Sequence, residues 1–343
     1  MTNRRDFLRI AVGTAAGALL GSKSGLLPSI TSQAAAGAAD KKSLIVRVKA
    51  KDVWKGNMHP EKDVVERMVL AGMREFTGKK DEAGAWGSLF KPDDVVGIKI
   101  SAVGGKMLSS NRELVDAMIS GLLACGVKEN NIIVWERFVT QLKDAGFTIN
   151  KSGKGIRGVG TEVFMGRGGR GYDKNVYLEY NKEKSNLTKI ISQDITALIN
   201  VPVLKDHGET GITNALKNIA FGAINNTERF HRNKCDPQIA DVCAMPEVKN
   251  KFRLCIVDAL RCVYEGGPAD RPANKWEQNE IMIGTDQVAL DVIGWEIIEK
   301  KRAEKGLPSL KKAGREPVHI STAEKKGLGT VKKEKMDIRV LSV

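Results

Sequence analysis

The 343-residue sequence predicts an α/β fold: a doubly wound, mostly parallel sheet with helices on both faces and a Gly/Arg-rich insertion. Three observations carry that expectation. Short apolar runs recur along the chain and alternate with stretches whose apolar residues return at helical spacing. Most of these runs are apolar throughout rather than at every second residue, as strands buried on both faces must be. Polar residues gather at the ends of the runs, where an open parallel sheet places its ligand crevice. With 42% hydrophobic residues the chain can bury a full core, which argues against disorder.

The first stretch, "MTNRRDFLRIAVGTAAGALLGS", sets paired Arg4 and Arg5 before a Gly- and Ala-rich apolar segment too short and weak to anchor in a bilayer. It reads as a twin-arginine signal peptide over residues 1–38, with cleavage after Ala36 or Ala38 at small-residue sites. A retained amphipathic anchor is the competing reading. Export of the folded chain to the periplasm, with the twin-arginine export machinery as a partner, follows from the first. No other segment could span a membrane, so the mature chain is expected to have no transmembrane segment.

A single domain is expected over 39–320. The run "SLIVRV" (43–48) is its first strand, and a helix over 61–77 follows, stopped by Gly78. The pattern returns as "DVVGIKIS" (94–101) and "SSNRELVDAMISGLLACG", where Ser110 and Glu113 have capping-box spacing and Gly126 ends the helix. Strand "NIIVWE" (131–136) comes next. Residues 151–175 are rich in Gly and Arg and lack either periodicity, which predicts an inserted loop or lid. The rhythm resumes with "ITALINVPVL" (195–204), a helix over 210–221, strand "FRLCIVDAL" (252–260), strand "EIMIGT" (280–285) and a helix over 286–305. Residues 321–343 read as a C-terminal tail or edge strand.

Of the formal net charge of +14, Arg4, Arg5, Arg9 and Lys23 against Asp6 place +3 within residues 1–38, which leaves +11 for the mature chain. A small anionic ligand, an anionic surface or an acidic partner would be attracted. Nucleic acid is disfavoured by the compartment and by lysines that alternate with glutamates rather than forming a basic stripe.

Chemistry-bearing residues stand at successive strand ends: Lys99, Glu136, Lys205, His207, Asp258 and Asp286. In the segment "NVPVLKDHGETGITNALKNIAFG", Lys205 and His207 meet a helix start that Thr210 is expected to cap, with Thr213 and Lys217 four apart and off its apolar stripe. Lysine in a partly dry crevice and histidine can both exchange protons near neutrality, so Lys205, His207, Lys217 and Asp258 are the candidate catalytic residues. The same groups could instead clamp a carboxylate or phosphate. Lys99, Thr213, Asn218, Arg167 and Arg170 are the candidate ligand-binding residues, the two arginines lying in "GRGGRG", which lacks phosphate-loop spacing.

His231, Asp286 and Asp291 are candidate ligands for a divalent metal, although Asp286 also fits a helix cap. His231, Cys235 and Cys243 match no standard zinc or iron-sulfur spacing, and a Cys235 to Cys243 disulfide suits an oxidising compartment.

Through "NVPVLKDHGETGITNALKN", "VGIKIS", "IVDAL", "EGGP" and "GTDQVALDVIGW", the chain resembles the family catalogued as domain of unknown function 362, over roughly residues 40–305. The family label carries no established reaction. Some of its members hold ferredoxin-like four-iron clusters, which implies redox work, yet this chain has no iron-sulfur motif. Two functions follow as expectations. One is an enzyme or enzyme-like protein that binds a small anionic ligand, with or without a divalent metal, at the strand carboxyl ends. The other is a non-catalytic binding or maturation protein serving a periplasmic redox partner.

Overall fold

The computed structural model describes residues 42–56, 58–152, 154–162 and 171–343. The expected signal peptide and its cleavage sites, and both Arg167 and Arg170, lie outside the described residues. The elements follow in chain order. β1 (Ser43–Lys49), α1 (Lys62–Thr77), α2 (Glu82–Gly87), β2 (Val96–Ile100), α3 (Arg112–Ala124), β3 (Ile132–Phe138), α4 (Val139–Asp144) and β4 (Arg157–Glu162) form the first half. A two-stranded ribbon, β5 (Tyr172–Tyr180) and β6 (Glu183–Thr188), separates it from the rest. Then come β7 (Ala197–Val201), β8 (Val203–His207), β9 (Gly211–Thr213), α5 (Ala215–Ala223), α6 (Gln238–Ala244), α7 (Pro246–Lys249), β10 (Phe252–Val263), β11 (Lys275–Gly284), α8 (Gln287–Glu304), α9 (His319–Lys325) and β12 (Met336–Ser342).

The main sheet runs β12-β1-β11-β10-β7-β2-β3-β4, with β8 paired to β10 and β9 paired to β8. β2 pairs in parallel with β3 and β7, and β10 with β7 and β8. β11 is antiparallel to both of its neighbours, β1 and β10, so the sheet is mostly rather than wholly parallel.

Because side chains alternate along a strand, each strand feeds two cores. Ile133 and Leu198 join the cluster under α5, α6, α8 and α9, while Val134 and Ile199 join the one under α1, α2, α3 and α4. Those strands therefore need apolar residues at both parities, which is why their sequences read as unbroken hydrophobic runs.

The expected strands and the expected helix over 61–77 are present, with Gly78 closing α1 at φ 70°, a conformation glycine adopts without strain. Several expectations need correction. The run over 195–204 is two strands, since Pro202 separates β7 from β8. The helix expected from residue 210 begins at Ala215, because residues 211–213 pair back on β8. Within the insertion expected over 151–175, residues 157–162 extend the main sheet beside β3. Residues 321–343 needed no correction on one point, for they contain the edge strand that was one of the two readings, β12, parallel to β1. No described helix is long and apolar enough to cross a membrane.

Candidate functional site

The chain lays β2, β3 and β4 outward in one direction, then returns with β7 on the other side of β2. The order of winding therefore reverses between β2 and β7. Crossovers diverge at such a point and leave a crevice beyond the carboxyl ends of the strands. A cavity of about 200 Å³ lies there, lined among others by Lys99, Glu136, Lys205, His207, Lys217 and His231.

Strand periodicity explains the Lys-x-His spacing. Lys205 and His207 project to one side of β8 and line the cavity, while Asp206 between them projects to the other, where Arg315 binds its carboxylate at 2.7 Å. The short hairpin then sets Thr213 directly across from Lys205. On α5, Lys217, Asn218, Phe221 and Gly222 face the cavity, while Leu216, Ile219, Ala220 and Ala223 enter the core. Helical spacing thus divides that short sequence between ligand face and core.

Lys99 is buried. Its ammonium meets Glu136 Oε1 at 2.8 Å and donates to Asn218 Oδ1 at 3.3 Å. Gly222 makes this possible, for a methyl there would fall inside contact distance of Lys99 Cε. Burial presses the Lys99 amine below its usual range, partly offset by Glu136. Glu136 is further held by the backbone N–H groups of Ala102, at 3.0 Å, and Arg137, at 2.6 Å.

Lys205 is fully buried, and its Nζ has no hydrogen-bond partner among the described residues. Burial pushes its pKa down to about 7; Lys217 and Lys99 push the same way, against the pull of Glu136. Lys217 is lowered to about 8, chiefly by burial, and lies over the Phe221 ring at 4.4 Å. The Thr213 hydroxyl is likewise buried without a partner among the described residues.

His207 Nδ1 accepts the backbone N–H groups of Glu209, at 3.1 Å, and Thr210, at 3.2 Å. The ring proton is therefore on Nε2. Burial first, then Lys217 and the neighbouring His231, holds His207 neutral far below the usual histidine range. The His231 ring stacks on His207 with centroids 5.8 Å apart. Burial also lowers His231.

Of the residues singled out in the sequence, Lys99, Lys205, His207, Thr213, Lys217 and Asn218 are brought together. Asp258 is not. Its Oδ2 accepts the backbone N–H of Asn111 at 2.7 Å and the Asn111 amide at 2.9 Å, at the start of α3. That is the work expected of Ser110 and Glu113; Ser110 Oγ instead donates to Val201 O at 2.6 Å. Burial raises Asp258 to about 6. Thr210 does not cap α5, since its hydroxyl donates to Ile212 O at 2.9 Å.

The three candidate metal ligands are dispersed. Asp286 caps α8 through Ala289 N at 2.8 Å and also holds Ser43 at 2.6 Å. Asp291 receives the first N–H groups of α5, from Ala215 at 2.7 Å and Leu216 at 3.3 Å. His231 alone lines the cavity. No group of three or more His, Cys, Asp or Glu with metal-binding geometry occurs among the described residues. All five cysteines are free thiols, so the expected Cys235 to Cys243 disulfide is not formed; Cys243 Sγ instead donates to Leu216 O at 3.4 Å.

Sequence reasoning missed the aromatic wall supplied by Phe221 and the cavity-facing place of His231. The period of α5 carries the first: Phe221 is one turn beyond Lys217. Glu136 was visible as a strand-end carboxylate, but its partnership with Lys99 was not.

A family described as Domain of unknown function (DUF362) matches residues 96–296. No curated protein matches the chain. Among solved structures, a crystal structure of a Thermotoga maritima protein from a structural genomics consortium is similar at a TM-score of 0.44 and 11% identity. The likeness covers 74% of this chain and 61% of that one, so this chain spans less than two thirds of its length.

Proposed function

Because the chain belongs to the DUF362 family, whose description supplies no reaction, we propose its function from the switch-point cavity: an enzyme acting on a small anionic substrate, a carboxylate or phosphate. The observation that carries this reading is the Lys205 amine, fully buried, unpartnered among the described residues and facing a cavity it shares with two further lysines. Glu136, the carboxylate that acts most strongly on Lys205, is in direct contact with Lys99 instead. A buried cation excess without a compensating anion is unfavourable, and an anionic ligand relieves it.

Lys217 and Lys99 supply attraction, and Thr213 a hydroxyl. Lys205, with its pKa near 7, is suited to proton exchange with a bound substrate at neutral pH. The paired arginines near the N-terminus support a second part of the proposal, that the folded chain is exported to the periplasm by the twin-arginine route. Arg4→Lys with Arg5→Lys should then retain the protein in the cytoplasm.

The test of the site is a thermal-shift screen of small carboxylates and phosphates, repeated on Lys205→Met and Lys217→Met. Loss of one charge-assisted contact should cost roughly 1.5 to 3 kcal/mol, a tenfold to hundredfold fall in affinity. A ligand that stabilises both variants as well as the parent binds elsewhere, and the reading fails.

A further inference from the structure

The cavity holds a lysine that does more than attract. A nucleophilic lysine needs a neutral amine, a place for a carbonyl carbon to approach it, and no competing partner for its lone pair. Lys205 Nζ is bound by no described residue, and its side chain lines the cavity. Cationic neighbours and desolvation are the two devices that free a lysine lone pair at neutral pH, and Lys217 and Lys99 with full burial supply both.

The surroundings favour one electrophile. Thr213, cross-strand from Lys205, presents a second buried and unpartnered polar atom to the same space. Lys217 stands on the opposing helix, a cation suited to a carboxylate. Glu136 is the anion nearest in effect to Lys205, placed to stabilise a positive charge formed on its nitrogen. At about 200 Å³ the cavity has room for a small oxo acid.

We propose that Lys205 forms an imine with a small oxo acid, a carbonyl compound whose carboxylate is held by Lys217 and whose carbonyl oxygen meets Thr213. The step rests on the anionic-substrate reading of this site. The Lys205 lone pair attacks the carbonyl carbon, and one of the two amine protons passes from the nitrogen to the carbonyl oxygen to give a carbinolamine, which restores the nitrogen lone pair. A second proton, taken from solvent, lets that oxygen leave as water while the lone pair forms the carbon-nitrogen double bond, and the remaining nitrogen proton returns to solvent. One amine and one carbonyl thus yield one imine and one water, with no oxidant or reductant. His207, neutral with its ring proton on Nε2, lines the same cavity and offers that N–H as a hydrogen bond to the oxygen, without giving up the proton.

The full chain is incubated with pyruvate or acetoacetate and sodium cyanoborohydride, which survives from pH 6 to pH 8 and reduces the protonated imine rather than the free ketone, and the labelled lysines are located by peptide mass mapping. Lys205 should carry the reduced adduct at least tenfold more than any surface lysine. Labelling should fall several-fold between pH 8 and pH 6, where the amine is protonated. Lys205→Arg should lose the adduct yet still be stabilised by the oxo acid. If Lys205→Arg does not fold, the peptide map of the parent decides alone. Thermal stabilisation by the oxo acid without an adduct at Lys205 would overturn the imine and leave the anion site standing. Absence of both adduct and stabilisation by any small anion would overturn the two together. Labelling confined to Lys217 or to surface lysines would also refute the proposal.

Discussion

Lys205 titrates unlike an ordinary lysine because folding removes it from water. Its native pKa of about 7 against an ordinary 10.5 means that between those values the unfolded chain binds more protons than the folded one. Stability should therefore rise with pH across that window, by roughly 1.4 kcal/mol per unit while the difference lasts. Lys205→Met, which cannot titrate, should remove this part of the slope and be more stable than the parent near pH 7, with the gap closing towards pH 10.5. Urea midpoints at pH 7 and pH 10 measure it, and a variant less stable than the parent at pH 7 would contradict it. Lys205 and His207 were legible in the sequence because a polar pair at the end of an apolar run has few structural uses. Asp258 was misread because a carboxylate in that position serves a neighbouring helix equally well, and its partner Asn111 is 147 residues away in sequence.

At the scale of elements, helix starts are completed from distant strands and helices. α3 is held by Asp258 from β10, and α5 by Asp291 from α8. Local sequence could not show this, for the capping pattern at Ser110 and Glu113 was present and went unused. Asp258→Ala should cost about 1 to 3 kcal/mol, the range from lost caps to orphaned buried donors. It should leave affinity for small anions unchanged, since the side chain does not line the cavity. Denaturant unfolding beside the ligand titration separates the two, and a tenfold loss of affinity with intact stability would return Asp258 to the site. The hairpin that carries Thr213 was invisible for a related reason. β9 is only three residues long, its pairing is with β8 alone, and the sequence by itself extends over Thr213 the helix that begins two residues later.

The whole molecule wraps its sheet so that the winding reverses between β2 and β7, and the alternation of strand and helix in the sequence was sufficient to foresee that class of fold. What the alternation could not supply was strand order, which depends on pairings such as β12 beside β1, at opposite ends of the described chain. β12 pairs the backbone groups along β1 and becomes the outer strand in its place, where Arg339, ion-paired with Glu75 and Asp337, puts charge on the edge. Removing residues 336–343 should lower the melting temperature and promote self-association through β1. Light scattering against protein concentration would reveal it, and a truncated chain with the parent's association state and an unchanged melting curve would show that β12 is dispensable.

The depressed lysines also make the cavity a proton counter. Lys217 has a pKa near 8, so at that pH the resting protein carries it only about half protonated. An anion seated beside it favours the ammonium, so binding draws protons from solution together with the ligand. The heat of binding at pH 8 should then include the ionisation heat of the buffer. Titrations in two non-anionic buffers of different ionisation heat, triethanolamine and Tris, should give different apparent enthalpies at equal affinity, and Lys217→Met should reduce the difference. Equal enthalpies in both buffers would mean that the ligand arrives without protons and that Lys217 does not face it.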